Sequence, residues 1–254
     1  MQETRRTYAD FKLMTAGTVF SLREVVKSWV APDAVFQLSI PHLEVKAGQQ
    51  IVVQGQSGCG KSTLLDVLAM TLEPTSNEHF HFRPDAGAGV DIRDAWAHRR
   101  MDQLAGLRGR HIGYVLQTGG LLPFISVREN IELPRLLCGL PAGETSLALA
   151  ERLQITDQLD KLPAALSVGQ RQRVAVARAL AHEPAVVLAD EPTASLDPHT
   201  ATEVMDLFVE LAVQRGVTLL LASHDWARVN ELGFTKLHHE QIDEKGVLRS
   251  EYYS

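Results

Sequence analysis

The sequence predicts an α/β domain: a mostly parallel sheet flanked by helices, fronted by an antiparallel β layer and interrupted by a helical insertion. Three observations carry this. Short apolar runs of strand length alternate with helical periodicity. Two alternating segments near the start suit strands with one buried face. A central stretch, about residues 119–170, has leucines at helical spacing and no strand-like run.

In chain order, Val19 to Val26 and Ala34 to Val45 read as the antiparallel layer. Gln50 to Gln54, His111 to Leu116, Ala185 to Leu188 and Val217 to Ala222 read as strands buried on both faces. Lys61 to Leu72 has helical periodicity. Ile131 to Leu140 and Glu144 to Leu159 are the helices of the insertion, broken by Pro134, Pro141 and Pro163. The expected organisation is one domain over 1–254. Its core and β layer cover about 18–118 and 171–254, and its helical subdomain about 119–170.

A chain of 254 residues can bury a large core. The net charge of -6 argues against a general nucleic-acid-binding surface. The basic clusters Arg99-Arg100 and Arg108 to His111 are short and flanked by acids, so they read as solvated faces. Two cysteines, Cys59 and Cys138, are too few for a disulfide framework and lack metal-ligand spacing. His79 and His81 can share a strand face, but two imidazoles alone do not make a metal site. Met1 to Asp10 is charged, without the apolar stretch of a secretory signal. No apolar run approaches the ~20 residues needed to cross a bilayer, so a membrane role is expected to go through a partner.

In open parallel sheets the chemistry gathers at the carboxyl ends of strands. The first buried strand runs into Gly55-Gln-Ser57-Gly58-Cys59-Gly60-Lys61-Ser62, followed by Thr63. This is G-x-x-x-x-G-K-[ST] between a strand and a helix. Glycines let successive N–H groups turn toward phosphate oxygens, and the following helix presents its positive end. Lys61 can reach the β and γ phosphates, and the Ser62 hydroxyl can ligand Mg²⁺. Cys59 occupies a variable position, where a small residue suffices, and as part of the loop it is expected to bind the nucleotide, close enough that an adduct on its thiol would crowd the phosphates.

The strand from Ala185 ends in Asp190 and Glu191. Adjacent carboxylates repel, and a cation with an aligned water would offset that. Asp190 is expected to hold Mg²⁺ and Glu191 to polarise the attacking water. His224 ends another strand and can contact the γ-phosphate while orienting Glu191. Gln117 ends the strand from His111, and its amide can reach both Mg²⁺ and the water.

These residues, with Leu166-Ser167-Val168-Gly169-Gln170 and Asp190-Glu-Pro-Thr-Ala-Ser-Leu-Asp197, resemble the ABC ATPases in the family's own order. The resemblance covers Val19 to about Val229 and implies a P-loop NTPase (RecA-like) core with ATP and Mg²⁺ as its cofactors. Residues 166–170 are similar to the L-S-G-G-Q signature, Gln117 to the Q-loop, His224 to the switch histidine and Asp197 to the end of the D-loop. Ser167, Gly169 and Gln170 are thereby expected at the nucleotide of an opposing subunit in a head-to-tail homodimer. Val168 departs from the pattern; it keeps its N–H, and an ordinary helix-start conformation is expected there. The segment ending in Trp29 resembles the adenine-stacking A-loop, with Phe36 as the alternative.

Leu107 to Gln117, Leu121 to Phe124 and Val127 to Pro134 further resemble the LolD and MacB branch. That branch implies a separate permease for export or lipoprotein extraction and a place on the inner face of the cytoplasmic membrane. The neighbouring FtsE type, a regulator that transports no solute, is the alternative. The remainder after His224 is read as too short for an appended regulatory domain.

Overall fold

The computed structural model describes residues 17–31, 34–224, 231–244 and 247–254. The segment from Met1 to Asp10 therefore lies outside the described residues. Two sheets stack with a helix packed in the core between them and further helices behind the second. The first, six-stranded among the described residues, contains β1 (Thr18–Ala31), β2 (Ala34–Lys46), β4 (His79–Phe82), β5 (Val90–Asp91), β10 (His238–Glu244) and β11 (Val247–Tyr253), in the order β10-β11-β2-β1-β4-β5. It is antiparallel except where β11 runs parallel to β2. The second sheet orders β6 (Ile112–Val115), β7 (Val186–Asp190), β8 (Thr218–Ser223), β3 (Gln50–Gln54) and β9 (Thr235–Lys236), all parallel.

The period-2 alternation of the parallel strands decides which core each residue joins. Ile51, Val53, Val186, Leu188, Leu220 and Ala222 face the β layer and helix α1 (Lys61–Leu68). Val52, Val187, Ala189, Leu219 and Leu221 face the opposite core, with α6 (Val168–Ala181) and α7 (Pro198–Gln214). Burial on both faces explains why these runs show no polar interruption.

Two helices, α2 (Ile92–Ala97) and α3 (Met101–His111), stand before β6. The sequence reading placed neither, because their polar composition hides a periodicity carried by few buried residues: Ile92, Ala95 and Leu104. The basic clusters there are engaged locally. Arg100 pairs with Asp94 at 2.8 Å, and Arg108 donates to the Met70 carbonyl.

In the middle of the chain, α4 (Val127–Leu137) and α5 (Glu144–Arg152) pack on α6. Pro134 does not break the helix as expected; it lies inside α4. That turn is held instead by Asn130, fully buried, whose amide bonds Leu122 N and the carbonyls of Leu122, Ile125 and Ser126. Arg135 adds bonds to the Pro141 and Ala181 carbonyls. Tertiary contacts thus offset the missing N–H.

Candidate nucleotide site

The carboxyl ends of β3, β6, β7 and β8 converge on one region. A cavity of about 320 Å³ is lined there by Phe36, Ser57, Gly58, Gly60, Lys61, Ser62, Thr63, Gln117, Asp190 and Glu191. Gly60 caps α1 in the left-handed conformation, φ 88°, with no side chain closing the helix end. The first N–H groups of α1 therefore meet no capping side chain, as an anion site requires. Lys61 is 5 % exposed, and its Nζ donates to the Gly55 and Gln56 carbonyls at 2.9 and 3.0 Å.

Glu191 lies between two bases. Its Oε1 is 3.1 Å from Lys61 Nζ and its Oε2 3.2 Å from His224 Nδ1. The backbone of Glu191 has φ 43°, a strained value for a side-chain-bearing residue. It is fixed there by its N–H on the Ala222 carbonyl, 3.0 Å. Asp190 beside it carries a pKa raised by burial, partly opposed by a hydrogen bond with Ser62. His224 opens onto a second cavity of about 270 Å³, shared with Glu191 and the residues leading to α7.

Gln117 lines the phosphate cavity, and its carbonyl accepts from Gln172 Nε2 of α6 at 2.7 Å. Arg178, also on α6, donates to the Gly119 and Gly120 carbonyls. These two residues, which the sequence reading did not single out, clip the segment after Gln117 to helix α6. Their signal was hidden: each bonds a backbone carbonyl more than 50 residues away.

The signature residues lie apart from this cavity's lining. Ser167 caps α6, accepting from Gln170 N, while Gln170 Oε1 accepts from Ser167 N, a closed capping box. Val168 follows as the first helical residue, in the helix-start conformation expected, and is 41 % exposed. Asp197 caps α7 through Thr200 N, and its pKa is lowered first by the Thr200 side chain and then by that backbone bond. A side chain at Gly169 would meet Thr200 Cγ2 at 2.8 Å, so this glycine lets the two helices approach.

One expectation changes, and the choice of adenine platform stays open. The Cys59 side chain does not line the phosphate cavity; it is buried, with Sγ 3.1 Å from Tyr252 Oη. Only its backbone can serve a phosphate. Trp29 and Phe36 form a tilted pair, centroids 5.7 Å apart, but Phe36 lines the cavity and packs toward Gly60 while Trp29 stands outside. His79 and His81 do share a face, their rings stacked at 4.5 Å. Among the described residues no group of three metal-ligating side chains occurs.

A glycine loop, a buried lysine on the next helix and a carboxylate pair at the end of a parallel strand one place removed in the sheet define a P-loop nucleoside triphosphatase. Comparison with known proteins narrows the class. The family model described as ABC transporter matches residues 38–194, more than half of the chain. The chain belongs to the ABC transporter family and is an ATP-binding ATPase cassette of it. The lipoprotein-releasing system ATP-binding protein LolD of Paramagnetospirillum magneticum is 40 % identical over 188 residues, 72 % of this chain and 78 % of that protein. The pyoverdine export ATP-binding/permease protein PvdT of Pseudomonas fluorescens is 39 % identical over 212 residues, 82 % of this chain but 31 % of its own length. The chain thus spans about a third of that relative. Among solved structures, the dimeric cassette MJ0796 bound to ADP and Pi is 27 % identical. It matches with a TM-score of 0.70 over 92 % of this chain and 98 % of its own. No helix of the described residues is long and apolar enough to cross a membrane.

Proposed function

We propose that this cassette hydrolyses ATP at the cavity between the glycine loop and Glu191, as a head-to-tail homodimer that drives a separate membrane permease from the inner face of the cytoplasmic membrane. Export or lipoprotein extraction is the work proposed for the assembly, by likeness to LolD and PvdT. The observation that carries the reading is Glu191 held between Lys61 and His224 at the mouth of the glycine loop.

Lys61 has three acceptors, Gly55 O, Gln56 O and Glu191 Oε1. Triphosphate binding exchanges them for phosphate oxygens and releases one oxygen of Glu191 to accept a water proton. His224 keeps the other oxygen oriented. Ser57, Gly58, Gly60, Ser62 and Thr63 line the phosphate side, with Trp29 or Phe36 as the adenine platform. The donor set also fits Mg²⁺: Ser62 and Asp190 are hard oxygen donors already hydrogen-bonded to each other, and a cation would remove the charge cost that raises the Asp190 pKa. Ser62 and Asp190 would hold the ion, with Gln117 beside them, and it would supply charge neutralisation on the β and γ phosphates.

The second half of each site comes from the partner copy through Ser167, Gly169 and Gln170, with Asp197 at the shared boundary. Gln117, clipped to α6 by Gln172 and Arg178, links the γ-phosphate position to the helix that Ser167 begins. Closure is then a rigid-body movement of that helix and its neighbours.

Glu191→Gln tests the assignment. The amide keeps the shape of the carboxylate but cannot take the proton, so hydrolysis falls by about two to four orders of magnitude. ATP still binds, and the closed dimer accumulates on sizing with ATP but not with ADP. Normal turnover by this variant would move the base elsewhere, with His224 next.

A further inference from the structure

We propose that Tyr252, with His239 stacked on it, is a positioning residue for the phosphate loop: the C-terminal hairpin β10–β11 holds the loop in its anion-binding shape from behind. The proposal rests on the nucleotide-site reading above.

A loop that turns its N–H groups inward must aim carbonyls the other way. The Cys59 carbonyl points into the core, where an unpaired acceptor is costly. Tyr252, fully buried, donates its hydroxyl to that carbonyl at 3.0 Å across 193 residues of sequence. Its oxygen also lies 3.1 Å from Cys59 Sγ. Burial, with Cys59 alongside, raises the phenol pKa, so the hydroxyl keeps its proton and stays a donor.

His239 lies against the tyrosine ring, centroids 4.6 Å apart. Its pKa is lowered first by burial and then by the Lys61 charge. The loop's first glycine closes the cluster. A side chain at Gly55 would overlap Cys59 Sγ and come within 3.5 Å of both His239 Nδ1 and Tyr252 Oη. The same strand reaches the other end of the cavity, because Leu248 of β11 lies in register with Phe36 of β2. One strand thus backs both the phosphate loop and the ring beside Gly60.

Tyr253, the next residue, is an internal control. Its hydroxyl donates to Glu240 on the exposed face. The experiment is isothermal titration of the full chain with ATP, with kcat and KM where turnover is measurable, on wild type, Tyr252→Phe, His239→Leu and Tyr253→Phe. Tyr252→Phe leaves the Cys59 carbonyl without its donor and raises Kd and KM about tenfold, with kcat held within about twofold. His239→Leu gives a smaller rise in the same direction, and Tyr253→Phe none. An unchanged Kd in Tyr252→Phe overturns the proposal, and so does a fall in kcat and melting temperature with Kd intact, which is what mere support of the fold would give. Should Tyr252→Phe not fold, His239→Leu decides by the same criterion. Failure of wild type to bind ATP would instead remove the nucleotide-site reading itself.

Discussion

Two helix N-termini in this molecule are proposed to meet phosphate, and they are built in opposite ways. At α1, Gly60 leaves the helix end without a side-chain cap, Asp190 carries a burial-raised pKa and Glu191 holds a strained φ. At α6, Ser167 and Gln170 close a capping box, and Asp197 caps α7 beside it. The first region keeps donors, charge and strain in reserve for a ligand. The second satisfies itself. Chemistry is therefore concentrated at a site that costs stability, while the surface proposed to meet the partner's nucleotide is stable alone and answers only when the dimer forms.

The largest test of that contrast is Lys61→Ala. It removes a buried, charge-assisted contact to the phosphates and weakens ATP affinity by about 100-fold, read by titration calorimetry. A folded variant with wild-type affinity would break the comparison. Asp190→Asn sharpens it. The raised pKa means that the folded state binds more protons than the unfolded chain just above the ordinary Asp range, so stability falls as pH rises through that window. Removing the charge should raise the melting temperature of the nucleotide-free chain at neutral pH, while Mg²⁺-dependent hydrolysis falls by about tenfold or more. Equal melting temperatures would mean that the carboxylate costs nothing.

Ser167→Ala should do the reverse. Loss of the cap lowers stability by about 1 kcal/mol. ATP affinity of the isolated chain stays unchanged, and ATP-dependent dimerisation in the Glu191→Gln background weakens by about tenfold. A loss of monomer affinity would place Ser167 at its own chain's nucleotide. The smallest effect is at the rim: Trp29→Ala should weaken ATP binding by about three- to tenfold, the order of one aromatic stacking contact. If Phe36→Ala does so and Trp29→Ala does not, the platform is the ring that lines the cavity.

Several features were legible because their information is local. Residues 50–54 read as a strand and form one with the same bounds. The glycine loop, Asp190-Glu191 and Gln117 are contiguous motifs at strand ends, and the sheet brings them together as strand polarity requires. The short strands β4 and β9 were not legible as strands, since four and two residues carry too little periodicity. Pro134 reads as a helix break because propensity is local, whereas Asn130 and Arg135 hold its turn through contacts from elsewhere.

By itself the sequence determined the chemistry on offer: a phosphate loop followed by lysine and serine, two acids closing a strand, and a serine and glutamine spaced to cap a helix. Each is written within a few residues, so backbone geometry suffices to express it. Only the tertiary structure decided which way side chains turn and what lies behind them. It put Cys59 into the core instead of the phosphate cavity, clipped the segment after Gln117 to α6 through Gln172 and Arg178, and brought Tyr252 under a loop 193 residues away. Packing and buried hydrogen bonds settle such choices, and their partners are set by how the sheets stack, which no local spacing encodes.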